Sequence, residues 1–159
     1  DDVDEYKNYG VTSDQEDKWT VEYISHWISQ LSVDDLKAVR LLSRIRAEES
    51  LPELFRMALI GDSFARLTFA NAICHIADGQ KTSPAMRELA KQKAIFLWQS
   101  LLDNPIELTD KHRIEIANNL ESQAKVRKNI KNIDNIQQTP TPEEDIVASA
   151  KFGLAKAKK

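Results

Sequence analysis

Glycine is scarce in this sequence: four residues among 159, at positions 10, 61, 79 and 153. No glycine-rich loop is present to cradle a phosphate, and neither a P-loop, nor G-x-G-x-x-G, nor a G-x-S-x-G elbow occurs. A single cysteine, Cys74, excludes an intramolecular disulfide and fits a reducing compartment. The three histidines, His26, His75 and His112, are scattered, and the adjacent Cys74-His75 pair is not a metal-ligand spacing. Neighbours on a helix point about 100° apart, so Cys74 and His75 cannot act on each other as nucleophile and base. No apolar run approaches the roughly 20 residues that span a bilayer, and no signal-peptide pattern is read. The acid pairs Asp34-Asp35, Glu48-Glu49 and Glu143-Glu144 sit at expected helix ends, where capping and the helix dipole account for them. These absences set the expectation of a non-enzymatic, cytoplasmic protein without cofactor, resident metal or membrane contact.

The remaining composition favours helix. Apolar residues make up 42% and charged residues 30%, ordinary values for a globular chain rich in good helix formers. The stretch 60–79, IGDSFARLTFANAICHIADG, organises the reading. Asp62-Ser63 supplies a cap, and Gly79 is placed for a left-handed helix end. Phe64, Leu67, Phe69, Ile73 and Ile76, with several alanines between them, cover most of the helical wheel, and a helix apolar nearly all round is buried. Cys74 reads as a small residue of that core.

Other helices are expected around it. The first runs from about Thr20 to Gln30, with Val21, Ile24, Ile28 and Leu31 at helical spacing and Trp19, Tyr23 and Trp27 beside them. His26 reads there as a surface or interface histidine. The second starts at Ser32 with Leu36, Val39, Leu42 and Ile45 inward and Lys37, Arg40, Arg44 and Arg46 on or near the other side. The third is short, with Ser50, Pro52 and Glu53 forming a start signal. The fifth runs from Pro84 to about Leu102 behind Ser83, with two adjacent apolar faces. The sixth starts at Thr109, and beyond Ala124 it turns polar, with Ile130, Ile133 and Ile136 spaced by three. Then T-P-T-P at 139–142 breaks the chain. Thr141, Pro142 and Glu144 start a last helix with Ile146, Ala150 and Leu154 on one face and Val147 close by.

The expected fold is therefore all-α: a single compact bundle of about six helices around the central apolar one. The divisions are an acidic flexible arm (1–18), a helical core (19–124), a projecting polar extension (125–138), and a proline linker with a short amphipathic helix (139–159). The last segment is expected to be separable, so that its removal leaves the fold intact. Net charge is −3, unevenly placed: residues 1–18 hold seven acids and two lysines, and residues 125–159 eight bases and four acids.

Two functions follow. The first is a helical adaptor or subunit that binds other proteins, a second copy of itself included, through Ile146, Val147, Ala150 and Leu154 and through Ile130, Ile133 and Ile136. The second is a subunit of a nucleic-acid complex. Its phosphate contacts would come from Arg40, Arg44, Lys125, Arg127, Lys128 and Lys131, with the lysines of the C-terminal tail, and would not read bases.

Overall fold

The structure, a computed structural model, describes residues 10–131 and 138–159, apart from the side chains of Ile130 and Lys131. These residues form α1 (Ser13–Ser29), α2 (Lys37–Arg44), α3 (Leu51–Met57), α4 (Ser63–Ala77), α5 (Pro84–Asp103), α6 (Asp110–Lys131) and α7 (Pro142–Ala157). A 3-10 turn, Glu48–Ser50, precedes α3, and no strand occurs among the described residues. The fold is all-α and compact, with α4 at its centre. Leu67, Phe69, Ile73 and Ile76 of α4 are buried, and Ala65, Ala70, Ala72 and Ala77 let neighbouring backbones come close. The most extensive packing is α5 on α4, through Ala90, Ala94, Leu97 and Leu101. Both apolar faces of α5 are used there, because α7 covers its other side.

Helix starts follow local chemistry, with differences from expectation that have physical causes. α1 begins at Ser13, inside the stretch read as a flexible arm. Thr12 Oγ1 accepts from Gln15 N (3.3 Å) and Gln15 Oε1 accepts from Thr12 N (3.0 Å), a reciprocal capping box. The rest of that arm, residues 1–9, lies outside the described residues. Ser32 does not open α2. Its hydroxyl accepts from the amides of Asp34 and Asp35 in a turn, and Asp35 Oδ1 then accepts from Lys37 N (3.0 Å), which moves the start to Lys37. Ser50 is not a cap either. Its backbone is already helical after the 3-10 turn, its hydroxyl donates to Ala47 O (2.6 Å), and Glu53 pairs with Arg56. Ser83 and Thr141 do cap α5 and α7, each followed by proline.

Two helix ends use unexpected residues. α2 closes with Arg46 at φ 52°, while Arg46 N donates to Ser43 O and Ala47 N to Leu42 O. This is a Schellman motif built on arginine, and Leu42 and Ala47 complete it by packing together under Ile24 of α1. At the end of α4, Gly79 is not left-handed: Gly10 is the only described glycine with positive φ. Arg87 does the capping instead, its guanidinium donating to the carbonyls of Ala77, Gly79 and Thr82. Gly79 is needed for space, since a Cβ there would lie 2.9 Å from Ile76 O.

The largest departure is α7. Ile146, Ala150 and Leu154, read as a docking face for another protein, are buried in this chain's own core against α5. Gly153 sits on the indole of Trp98, where a Cβ would stand 2.4 Å from Cε2. On an open helix Gly→Ala stabilises by about 1 kcal/mol. Here the added methyl meets a buried ring held by Trp98 Nε1 donating to Asn71 Oδ1 (3.1 Å). Gly153→Ala is therefore expected to lower stability by about 1–3 kcal/mol, the usual range for overpacking. Urea unfolding followed by tryptophan fluorescence checks the sign.

Candidate functional site

A groove of about 830 Å³ runs along α4, walled by α2 on one side and α7 on the other. Its floor is a stripe of one α4 face: Phe64, Thr68, Asn71, His75 and Asp78. The spacing alternates four and three residues, which keeps one line of side chains facing outward along a helix. The stripe runs fourteen residues, about 21 Å at 1.5 Å per residue. Trp98 lies beneath Asn71, and its indole N–H donates to Asn71 Oδ1, which fixes the floor amide. Thr68 Oγ1 is turned back onto Phe64 O (2.9 Å).

The walls differ in character. Val39, Arg40 and Ser43 of α2 form one. Arg40 is held in place: its guanidinium lies 5.9 Å from the Phe64 ring centroid and donates to Glu115 Oε1 of α6 (2.6 Å). Ala148, Ser149, Phe152 and Lys156 of α7 form the other. Phe152 is 72% exposed, the most exposed large apolar residue among those described. It leaves a large apolar side chain uncovered on the groove wall.

Cys74 is half-buried, packed against the core and bordering the groove. Burial, with Asp78 adding to it, pushes its thiol above the ordinary cysteine range and so away from the nucleophilic thiolate. Among the described residues no three His, Cys, Asp or Glu side chains are grouped to hold a metal. Among them, too, no helix is long and apolar enough to cross a membrane.

A second polar cluster is structural in its geometry. Asp62 Oδ1 accepts from Ala65 N (2.9 Å), capping α4. Its Oδ2 accepts from Thr109 N (3.0 Å), Thr109 Oγ1 (3.2 Å) and His112 Nδ1 (2.8 Å), which ties in the start of α6. His112 is buried, with its ring edge-on to Phe64 at 5.2 Å. Burial raises the Asp62 carboxyl, but the Ala65 and Thr109 amides and His112 outweigh it, and the group stays below the ordinary aspartate range.

The residues singled out from sequence are scattered over the molecule. Ile146, Ala150 and Leu154 are core, and Val147 is half-buried beside Glu144 and Lys151. Ile133 and Ile136 and the side chains of Ile130 and Lys131 lie outside the described residues. Arg40 and Arg44 are on α2, whereas Lys125, Arg127 and Lys128 are exposed on the far turns of α6. From Glu115, which Arg40 binds, to Arg127 is about 18 Å along the helix. The two basic groups therefore do not form one patch. Missed altogether were Phe152 and the open stripe of α4. The stripe had a signal: Thr68, Asn71, His75 and Asp78 are polar residues that recur at helical spacing along a mostly apolar helix, with Arg66 off their line.

Comparison with protein-family models, with curated proteins and with solved structures finds no match to this chain.

Proposed function

We propose that the chain is a non-enzymatic helical adaptor or subunit that holds a segment of another protein in the groove between α2 and α7. The observation that carries this reading is Phe152, open to solvent beside a continuous stripe of α4. The groove is open along its length, about four helical turns, which suits a helix or an extended segment better than a small enclosed ligand. Asn71, His75 and Asp78 supply polar partners along the floor, and Phe64 and Phe152 supply apolar contact. A reducing, cytoplasmic setting goes with the lone, half-buried Cys74.

The nucleic-acid reading keeps one support, the exposed Arg127 and Lys128 at the end of α6. It would involve phosphates alone.

Selection of linear peptides from a display library on the whole chain tests the groove. Selected peptides are expected to bind Phe152→Asp at least about tenfold more weakly, the loss typical of an anchor residue, with unchanged thermal unfolding. Equal affinity for the variant, or no enriched peptide, would remove the reading.

A further inference from the structure

Two helix ends stand off the core. Of the first eleven residues of α1, Ser13 to Tyr23, none is buried. At the other extreme, residues 121–129 of α6 are exposed except for a half-buried Ala124. An isolated helical end of this length is marginal in water, so each gains from being covered.

Their surfaces are complementary. The start of α1 carries Asp14, Glu16, Asp17 and Glu22 against one base, Lys18. Among these acids lie Trp19, Val21 and Tyr23, which are 51%, 63% and 47% exposed. Val21, expected inside, faces solvent because α1 contacts α2 only through its second half, at Ile24, Trp27 and Ile28. Glu16 and Glu22 sit three residues either side of Trp19, and Asp17 four before Val21, so Trp19 and Val21 each have an acid on their own face. The end of α6 holds Arg127 and Lys128 beside Lys125, which pairs with Glu121 one turn back (2.8 Å); no acid follows Glu121 in α6, and Val126 is 56% exposed. Acids with aromatic rings on one side, and lysine and arginine on the other, satisfy both ion pairing and cation–π contact.

We propose that copies of this chain associate head to tail, the acidic aromatic start of α1 on one copy against the basic end of α6 on another. The two surfaces differ, so one contact leaves an α1 free on one copy and an α6 free on the other; these close into a two-fold pair where both meet at once, and otherwise generate rings or open chains. This is separate from the α2–α7 groove and does not require it.

The test uses the whole chain and two variants, Asp14→Lys/Glu16→Lys/Asp17→Lys and Lys125→Glu/Arg127→Glu/Lys128→Glu, in sedimentation velocity with light scattering. The wild type is expected to gain mass with concentration at low salt and to lose it at high salt, as interactions between exposed charges are screened. Each variant alone is expected to associate at least about tenfold more weakly, since three exposed pairs are turned repulsive. A mixture of the two variants is expected to recover association, because reversed α1 then meets reversed α6. A folding defect cannot give that recovery. A wild type that stays monomeric at low salt overturns the proposal, as does a variant that associates like wild type or a mixture that stays monomeric. Salt-sensitive binding of generic DNA or RNA, lost in the α6 variant without any self-association, overturns it in favour of a phosphate contact.

Discussion

Removing residues 139–159 is expected to unfold the protein. α7 supplies Ile146 and Leu154 to the core, both buried, with Ala150 and Gly153 in contact distance of α5. Burying each large aliphatic side chain contributes about 1.5–3 kcal/mol, and deletion also exposes the apolar groups of α5 that α7 covers, Trp98 foremost. A domain has only about 5–15 kcal/mol in total, so the loss takes most of it. Circular dichroism of the 1–138 chain is expected to show no cooperative melt. Ile146→Ala is a milder probe, expected to lower stability by about 2–5 kcal/mol through a cavity that rigid neighbours cannot refill. A truncated chain that melts cooperatively at the wild-type temperature would restore α7 as a separable docking element.

Substitution of Asp62 is expected to be the most damaging single polar change. Asp62→Ala removes the α4 cap and leaves the Thr109 amide and His112 Nδ1 without their acceptor. Losing a cap costs about 1 kcal/mol, and each buried donor left without its acceptor costs about 1–3 kcal/mol more. Asp62→Asn separates the two roles. Asparagine caps as well as aspartate, so a mere cap predicts little change. At this position the amide NH₂ would face donors, and Asp62→Asn is expected to cost nearly as much as Asp62→Ala in urea unfolding. The same joint gives an acid limb. The Asp62 carboxyl is held below its unfolded value, so its contribution is fully present above the ordinary aspartate range, about pH 4. It is lost as pH falls through the lower folded value. Asp145, raised by burial, works in the opposite sense and blunts the loss. The wild type is expected to lose stability below about pH 4, and Asp62→Asn to show a shallower acid dependence.

The sequence made the helices legible where local chemistry decides them. Ser83-Pro84, Thr141-Pro142-Glu144 and Asp62 start α5, α7 and α4 because each side chain satisfies amides two or three residues away. Thr12 and Gln15 carried the same kind of signal for α1 within a stretch too acidic to look structured. What local chemistry does not hold is the identity of the covering surface. The face of α7 built from Ile146, Ala150 and Leu154 has the same spacing whether another protein or α5 buries it. The one local hint was Gly153, a residue unfavourable in a free helix that becomes necessary over the Trp98 ring. The groove was harder to foresee, since it exists only where α2 and α7 leave one stripe of α4 between them. Arg46 illustrates the reverse case, a left-handed helix end taken by an arginine because Leu42 and Ala47 reward the turn.

The attachment of α6 divides the molecule into two tiers. Among its described side chains the helix buries His112, Ile116 and Leu120, and it is otherwise moored at its root by Asp62, by Arg40 on Glu115 and by Glu143 on Arg113. The tier of α4, α5 and α7 is held by interlocked apolar side chains. Proton and salt concentration act on the first tier far more than on the second. Acid or salt is therefore expected to loosen α6 before the inner three helices, and hydrogen exchange is expected to reach the α6 amides before those of α4, α5 and α7.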